Sequence, residues 1–487
     1  MSDNSLKNKT LSGLFWSFSD AIGNQGIQFI LQIVLARLLV PKDFGVIGMI
    51  TIFIAISQTF VDSGFSNALI REKKPTQNDY STVFYFNLLM AFIIYIILFL
   101  CAEPISNYFK EPQLLQLIRI LSMVLLIDSF GLIQRTILTK NINFRAQTKI
   151  NLISSILSGI IAIILAYKGF GIWSLVIKTL IMQMVQTLML CLTNRWLPSF
   201  VFNLNSFRKL FGFGWKLLVS GLINTLYNNL YYLIIGKLYS ASELGYYSNA
   251  QRLRDTTSQS ITNALQKVSY PVLSSIKEDD KQLSLVYKKL IKFSVFITFP
   301  LLLGLAAVAP PLIELMFGQK WINSISYFQI LCFAGMLFPL HAINLNILQV
   351  KGRSDLYLGL EILKKVIGVS SIIIVLFFQL GIFGLLFASV IVSYLSFVIN
   401  SYYSAKLVSY STLEQLKDIT PMFICALLMG LLVYAFGIIL PLSNILNLIV
   451  QFIIGFLSYI LFSKIFKIKE LDIIYETLVL YRNRKKK

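Results

Sequence analysis

The chain alternates apolar runs about as long as a bilayer is thick with short polar segments. At roughly 20 apolar residues per crossing, the runs predict about fourteen helices, with cores at residues 11–39, 44–65, 81–102, 114–138, 149–167, 170–193, 214–238, 246–272, 288–310, 323–349, 357–378, 381–404, 419–440 and 444–465. The eighth run departs from this pattern. Gly245 to Asp280 is long enough to cross a bilayer, yet it carries Arg252, Arg254, Asp255, Gln259, Asn263 and Lys267. At 3.6 residues per turn, Arg252, Thr256, Gln259, Asn263 and Lys267 fall near one face, while Leu253, Ile261, Leu265 and Val268 fall elsewhere. A membrane helix with such a face turns it toward a cavity or toward other helices.

Composition agrees with a polytopic, all-α membrane protein: of 487 residues, 56% are hydrophobic and 13% charged, against about 25% charged in soluble proteins. The first run follows Lys7 and Lys9 like a signal peptide, but it is too long, contains Gln25, Gln28 and Gln32, and lacks a small-residue cleavage site. It reads as a retained first helix. The formal charge of +21 would suggest nucleic acid in a soluble protein. Here the basic residues alternate between loops. Arg71, Lys73 and Lys74, then Lys140 and Arg145, Arg195, Arg208 and Lys209, Lys277 to Lys289, Lys351 and Arg353, and Lys406 and Lys417 mark one side. The opposite loops carry single lysines or none, so both termini are expected in the cytoplasm of a cell inner membrane. Much of the charge then records topology and attraction to anionic lipid, the tail from Arg482 to Lys487 included, and nucleic acid is not an expected partner.

Four dispersed cysteines and one histidine, His341, disfavour a disulfide framework, a metal site or hydrolytic chemistry. No cofactor and no catalytic residue is expected. His341 reads as a hydrogen-bonded interface residue, and Pro300, Pro310, Pro311 and Pro339 as helix breaks.

A repeat is visible at an offset of about 200 residues. Ala36-Arg37-Leu38 followed by Asp43-Phe44-Gly45 returns as Gly236-Lys237-Leu238 followed by Glu243-Leu244-Gly245, and Trp16 matches Trp215. This predicts two pseudo-symmetric six-helix lobes, 1–199 and 200–405, and an appended helix pair with a basic tail, 406–487. Gln25, Gln28 and Gln32 in the first helix, and Asn224, Asn228 and Tyr231 in the seventh, give both lobes amide-rich faces suited to sugar hydroxyls, because an amide donates and accepts at once. The same amides also serve as glue between membrane helices. Ile52 and Ile54 stand where the eighth helix has Arg252 and Arg254, so the cationic face belongs to one lobe. A guanidinium inside a membrane calls for an anionic ligand or an internal partner. Arg254 adjoins Asp255, which makes Arg252 the stronger ligand candidate, with Gln259, Asn263 and Lys267 beside it. Lys178 and Arg119 lie deep enough to extend a cationic cavity or to pair with Asp128, whereas Arg135 is expected to snorkel. Asp20 and Asp62 are candidates for proton or sodium coupling.

The segments Ala36 to Gly45, Gly64-Phe65-Ser66-Asn67-Ala68-Leu69-Ile70-Arg71, Leu244 to Ser248, Tyr270 to Ser275 and Phe317-Gly318-Gln319-Lys320-Trp321 resemble the polysaccharide transporter family of the MOP superfamily, the Wzx-type flippases of O-antigen, exopolysaccharide and teichuronic acid pathways. The resemblance implies a MOP-type fold and alternating-access translocation of polyprenyl diphosphate-linked oligosaccharide, with membrane lipid and the polysaccharide polymerase machinery as further partners. Under it, Arg252, Arg254, Lys267, Lys178 and Arg119 would meet the diphosphate and the amide faces the glycan. Two rivals are a cation-coupled multidrug exporter of the same superfamily and a membrane glycan polymerase or ligase. Enzymes of the latter class generally need a sizeable outer loop, and the longest outward connection here runs only from Glu103 to Gln113 without a histidine.

Overall fold

The computed structural model describes Trp16, residues 23–440, residues 443–473 and Glu476. Asp20 and the basic tail from Arg482 lie outside the described residues. Among the described residues the secondary structure is helical, with no strand. α1 covers residues 23–38. It is followed by α2 (Pro41–Asp62), α3 (Phe65–Arg71), α4 (Gln77–Phe109), α5 (Leu114–Leu121), α6 (Met123–Lys140), α7 (Phe144–Tyr167), α8 (Trp173–Asn194) and α9 (Leu204–Leu238). Next come α10 (Ala241–Ser275), α11 (Asp280–Ala307), α12 (Ala309–Phe317), α13 (Ser324–Gly335), α14 (Phe338–Val350), α15 (Ser354–Phe377), α16 (Gly381–Ala405), α17 (Thr412–Ile439) and α18 (Asn444–Ile465).

The expected cores coincide with long helices or with helix pairs broken by one or two residues. Among the described residues, ten segments are long and apolar enough to cross a membrane. α9, α10 and α15 are long enough but more polar, α15 through Glu361, Lys364 and Lys365. The breaks have local causes. Ser63 and Gly64 stand at φ 48° and 73° and separate α2 from α3, a backbone region that glycine enters without penalty. Pro310 and Pro311 sit in the first turn of α12 and Pro339 in that of α14, where a missing N–H costs nothing. Pro300, in contrast, lies inside an unbroken α11. Thr76 with Asp79 and Ser411 with Glu414 form capping boxes that start α4 and α17.

Contacts divide the chain into two compact units, Met1–Ser248 and Asn249–Lys487, with the boundary inside α10. In the first unit α7 and α6 pack on α8, and α9 packs along α2. That last pair is antiparallel. Gly64 meets Gly214, Thr59 meets Gly221 and Thr225, and Gly48 meets Tyr232. At its end the two copies of the repeated motif touch each other. A Cβ at Gly45 would lie 1.6 Å from the carbonyl oxygen of Ala241, and a Cβ at Gly245 would lie 2.0 Å from that of Pro41. The contact is reciprocal between positions 200 residues apart. In the second unit α11 and α18 pack on α17, while α13 and α15 pack on α16.

Large apolar side chains such as Phe92, Ile96 and Leu100 on α4 and Ile445, Phe452 and Phe456 on α18 are exposed. Exposed apolar surface on this scale requires a nonaqueous neighbour, and the chain is a multi-pass membrane protein.

Candidate functional site

Six helices of the first unit line an open cavity of 570 Å³, five of them with one or two polar side chains each and α6 with four. α2 contributes Gln58 and Asp62, one helical turn apart, and α3 contributes Ser66. α6 supplies Asp128, Arg135, Thr136 and Thr139, and α8 supplies Gln183 and Gln186 at a spacing of three. Asn24 of α1 and Asn151 of α7 complete the polar lining. The side chains order one another: Gln183 donates to Asp128 at 2.5 Å and Gln186 to Asn151 at 3.4 Å, while Asn24 accepts from Ser155 at 2.7 Å. Arg135 does not snorkel away. Its guanidinium pairs with Asp128 at 3.3 Å, two turns earlier on the same helix.

Asp62 closes one side of this cavity and also faces a second one of 480 Å³, lined by Gln58, Thr59, Asn67, Gly221 and Thr225. Its carboxylate accepts hydrogen bonds from the hydroxyl and the backbone N–H of Ser66 and thereby holds the first turn of α3. Two carboxylates, one guanidinium and many amides and hydroxyls make the larger cavity slightly acidic and rich in groups that both donate and accept. That set matches the hydroxyls of a sugar better than it matches an anion.

The other residues expected from the sequence are dispersed over several places. Gln28 lies between helices rather than along the cavity: it donates to Ser155 at 3.1 Å and accepts from Lys178 at 3.1 Å, tying α1, α7 and α8 together. Gln32 is buried, while Gln25 is exposed. Arg119 stands in a separate cavity beside Glu103 and Lys110, with its guanidinium 4.5 Å over the Phe99 ring, and does not meet Asp128. On α9, Asn224 and Asn228 are exposed and Tyr231 stacks on Tyr247 at 6.0 Å.

In the second unit α10 keeps its polar face uncovered. Arg252, Gln259, Asn263 and Lys267 are exposed, whereas Leu253, Arg254, Ser258 and Thr262 are buried. Arg254 pairs with Asp255 at 2.7 Å, lies 5.1 Å from the Phe338 ring centroid, and passes the bare backbone of Gly335, to whose carbonyl Ser258 donates at 2.6 Å. It is held as a packing element between α10 and the α13–α14 break. Arg254→Met should therefore lower stability by about 2 kcal/mol, less than for a fully enclosed pair because Asp255 is one third exposed. Arg252→Ala should cost less, because its side chain is exposed, and thermal unfolding of the two purified variants side by side checks the difference.

Asn24, Gln58, Asn151, Gln183 and Gln186 are cavity residues that the sequence does not single out. Their signal is weak but present: pairs at spacings of three or four on otherwise apolar helices, as in Gln58 with Asp62 and Gln183 with Gln186.

Similar folds occur among solved membrane transporters. Lipid II flippase MurJ, in an inward closed conformation, superposes with a TM-score of 0.74 at 17% identity, covering 94% of this chain and 98% of that one. An inward-facing multidrug resistance MATE family transporter of the MOP superfamily gives 0.60 at 16% identity, covering 80% and 98%. Sequence relatives include teichuronic acid biosynthesis protein TuaB of Bacillus subtilis (strain 168), 26% identical over 72% of this chain and 73% of its own length. Lipopolysaccharide biosynthesis protein WzxC of Escherichia coli (strain K12) is 26% identical over 76% of each chain. The family described as "Polysaccharide biosynthesis protein" matches residues 34–326, more than half of the sequence. With this match over more than half of its length, the chain, which has a MOP-type helical fold, belongs to the family described as "Polysaccharide biosynthesis protein".

Proposed function

We propose that the protein is a flippase that moves polyprenyl diphosphate-linked oligosaccharide across the cytoplasmic membrane by alternating access, for export of a surface polysaccharide. The observation that carries this reading is the 570 Å³ cavity, whose lining is dominated by side chains that hydrogen-bond hydroxyls and which sits inside a bundle otherwise built for lipid. WzxC and TuaB, both named for polysaccharide biosynthesis, support the substrate class, and the fold shared with a lipid II flippase supports the mode of transport. In this reading the glycan enters the cavity while the polyprenyl tail stays in lipid. The repeat units 1–199 and 200–405 supply the two moving lobes, and both termini lie in the cytoplasm. The exposed polar face of α10, with Arg252 and Lys267, is the second unit's proposed substrate contact, and Asp62 is the proposed coupling residue.

Deletion of the gene should cause a lipid-linked oligosaccharide to accumulate on the inner leaflet, measured by extraction and mass analysis of the lipid fraction. Complementation with wild type should clear it, and complementation with Arg252→Ala should not, at equal protein abundance. A deletion strain that accumulates no such lipid but gains drug sensitivity would point to the exporter instead.

A further inference from the structure

We infer that a basic pocket beside α3, separate from the two polar cavities, holds a phosphate-bearing headgroup; this deepens the flippase reading and rests on it. The pocket has a volume of 310 Å³ and is walled by Ala68, Arg71, Glu72, Lys73 and, from the first turns of α9, Lys209 and Phe213. Three cations face one carboxylate. Lys209 is matched by Glu72 at 2.8 Å, which leaves Arg71 and Lys73 as the excess. The Arg71 guanidinium lies 4.4 Å over the Phe213 ring, so its plane is fixed while its N–H edge stays available to two oxygens of a phosphate. Among the described residues Lys73 has neither a hydrogen bond nor an ion pair.

α3 gives the pocket its meaning. In seven residues it turns three faces to three spaces: Ser66 and Ile70 line the larger cavity, Asn67 with the preceding Gly64 the second, and Ala68 and Arg71 the basic pocket. Both of its ends are held, the first by Asp62 and the last by Lys140, whose ammonium donates to the carbonyls of Leu69 at 3.0 Å, Ile70 at 3.1 Å and Glu72. Charge is sorted across this helix. A diphosphate in the larger cavity would meet Asp62 and Asp128 against the single Arg135, whereas on the other face of α3 it meets the cationic excess. A headgroup held at Arg71 and Lys73 therefore lets an attached glycan run along α3 into the amide-lined space. The segment Gly64 to Arg71, which the sequence singled out without a role, becomes the spacer between the two.

The test uses the full chain in phosphatidylcholine nanodiscs with three probes: polyprenyl diphosphate without a glycan, phosphatidylglycerol, and soluble pyrophosphate as competitor. Lys73→Gln should weaken retention of the anionic lipid about tenfold and Arg71→Gln with Lys73→Gln about a hundredfold. Arg71→Lys should recover only part of the loss, because an ammonium lacks the fork. Thermal unfolding of Lys73→Gln should match wild type. Preferential retention of polyprenyl diphosphate, displaced by pyrophosphate, identifies the substrate headgroup as the occupant; preference for phosphatidylglycerol identifies a bulk lipid headgroup in the same pocket. Undiminished retention of both lipids by the folded double variant overturns the inference. A pocket that fails while the deletion strain still accumulates its lipid leaves the flippase reading standing, and a pocket that binds in a protein whose deletion accumulates nothing sinks that reading alone.

Discussion

Alanine at Gly45 or at Gly245 should cost the protein about 3 kcal/mol or more and most of its yield of folded, monodisperse material. The added methyl group at either site would overlap a backbone carbonyl, Ala241 at 1.6 Å or Pro41 at 2.0 Å. No rotamer change relieves a clash with backbone, so the first turns of α2 and α10 must separate. The matched controls are Gly26→Ala and Gly359→Ala. Both glycines are helical, and an added methyl group at either would have no atom within 4 Å, so alanine there should be neutral or should stabilise by about 0.5–1 kcal/mol. Because Gly45 and Gly245 form one reciprocal patch, the double variant should cost less than the sum of the singles. Size-exclusion profiles and thermal unfolding read all of these; a Gly45→Ala protein as stable as Gly26→Ala would mean that the two copies of the repeat do not meet there.

Gln183→Leu combined with Gln186→Leu should abolish surface polymer and leave protein abundance near normal. Leucine is close in size, and α8 already carries a largely apolar sequence, so the helix itself should tolerate the change. What is lost is two of the groups able to satisfy sugar hydroxyls along this cavity. At about 1–3 kcal/mol for each unmet hydrogen-bonding group, the pair should slow transport by about thirtyfold or more. Accumulation of the lipid-linked oligosaccharide in cells making the variant, with the variant present in the membrane at wild-type amount, is the expected readout. Full export by the folded variant would move the glycan path out of this cavity.

Much of the architecture was legible in the sequence because the bilayer imposes a length and a composition on whatever crosses it. The apolar runs of α16 and α18 could be bounded to within a residue for that reason, whereas α4 runs seven residues past its expected core and α7 starts five before its own. The repeat was legible through its turn chemistry, Asp43-Phe44-Gly45 against Glu243-Leu244-Gly245. The polar face of α10 was legible through its period: Arg252, Gln259, Asn263 and Lys267 are all exposed in the structure.

The cavity was not legible in the same way, since every helix except α6 gives it only one or two residues. A lone Asn151 or Gln183 within an apolar run has the same local signature whether it lines a cavity or bonds a neighbouring helix, as Gln28 does. Helix rotation makes that choice, and packing against other helices sets the rotation. Arg252 and Arg254 show the point: two positions along a helix are about 200° around it, so the same packing exposes one and seals the other against Asp255 and Phe338. Arg135 and Asp128 share a face of α6 by its own period, and it is packing that brings Gln183 of α8 to the same carboxylate. By itself, then, the sequence determined that this chain crosses a membrane many times, repeats itself and carries polar faces inside its helices, because length, period and composition are properties of each segment alone. The tertiary structure decided which polar residues share a cavity, which are glue, and that the glycines of the repeated motif touch each other, because those depend on how one helix is turned against the next.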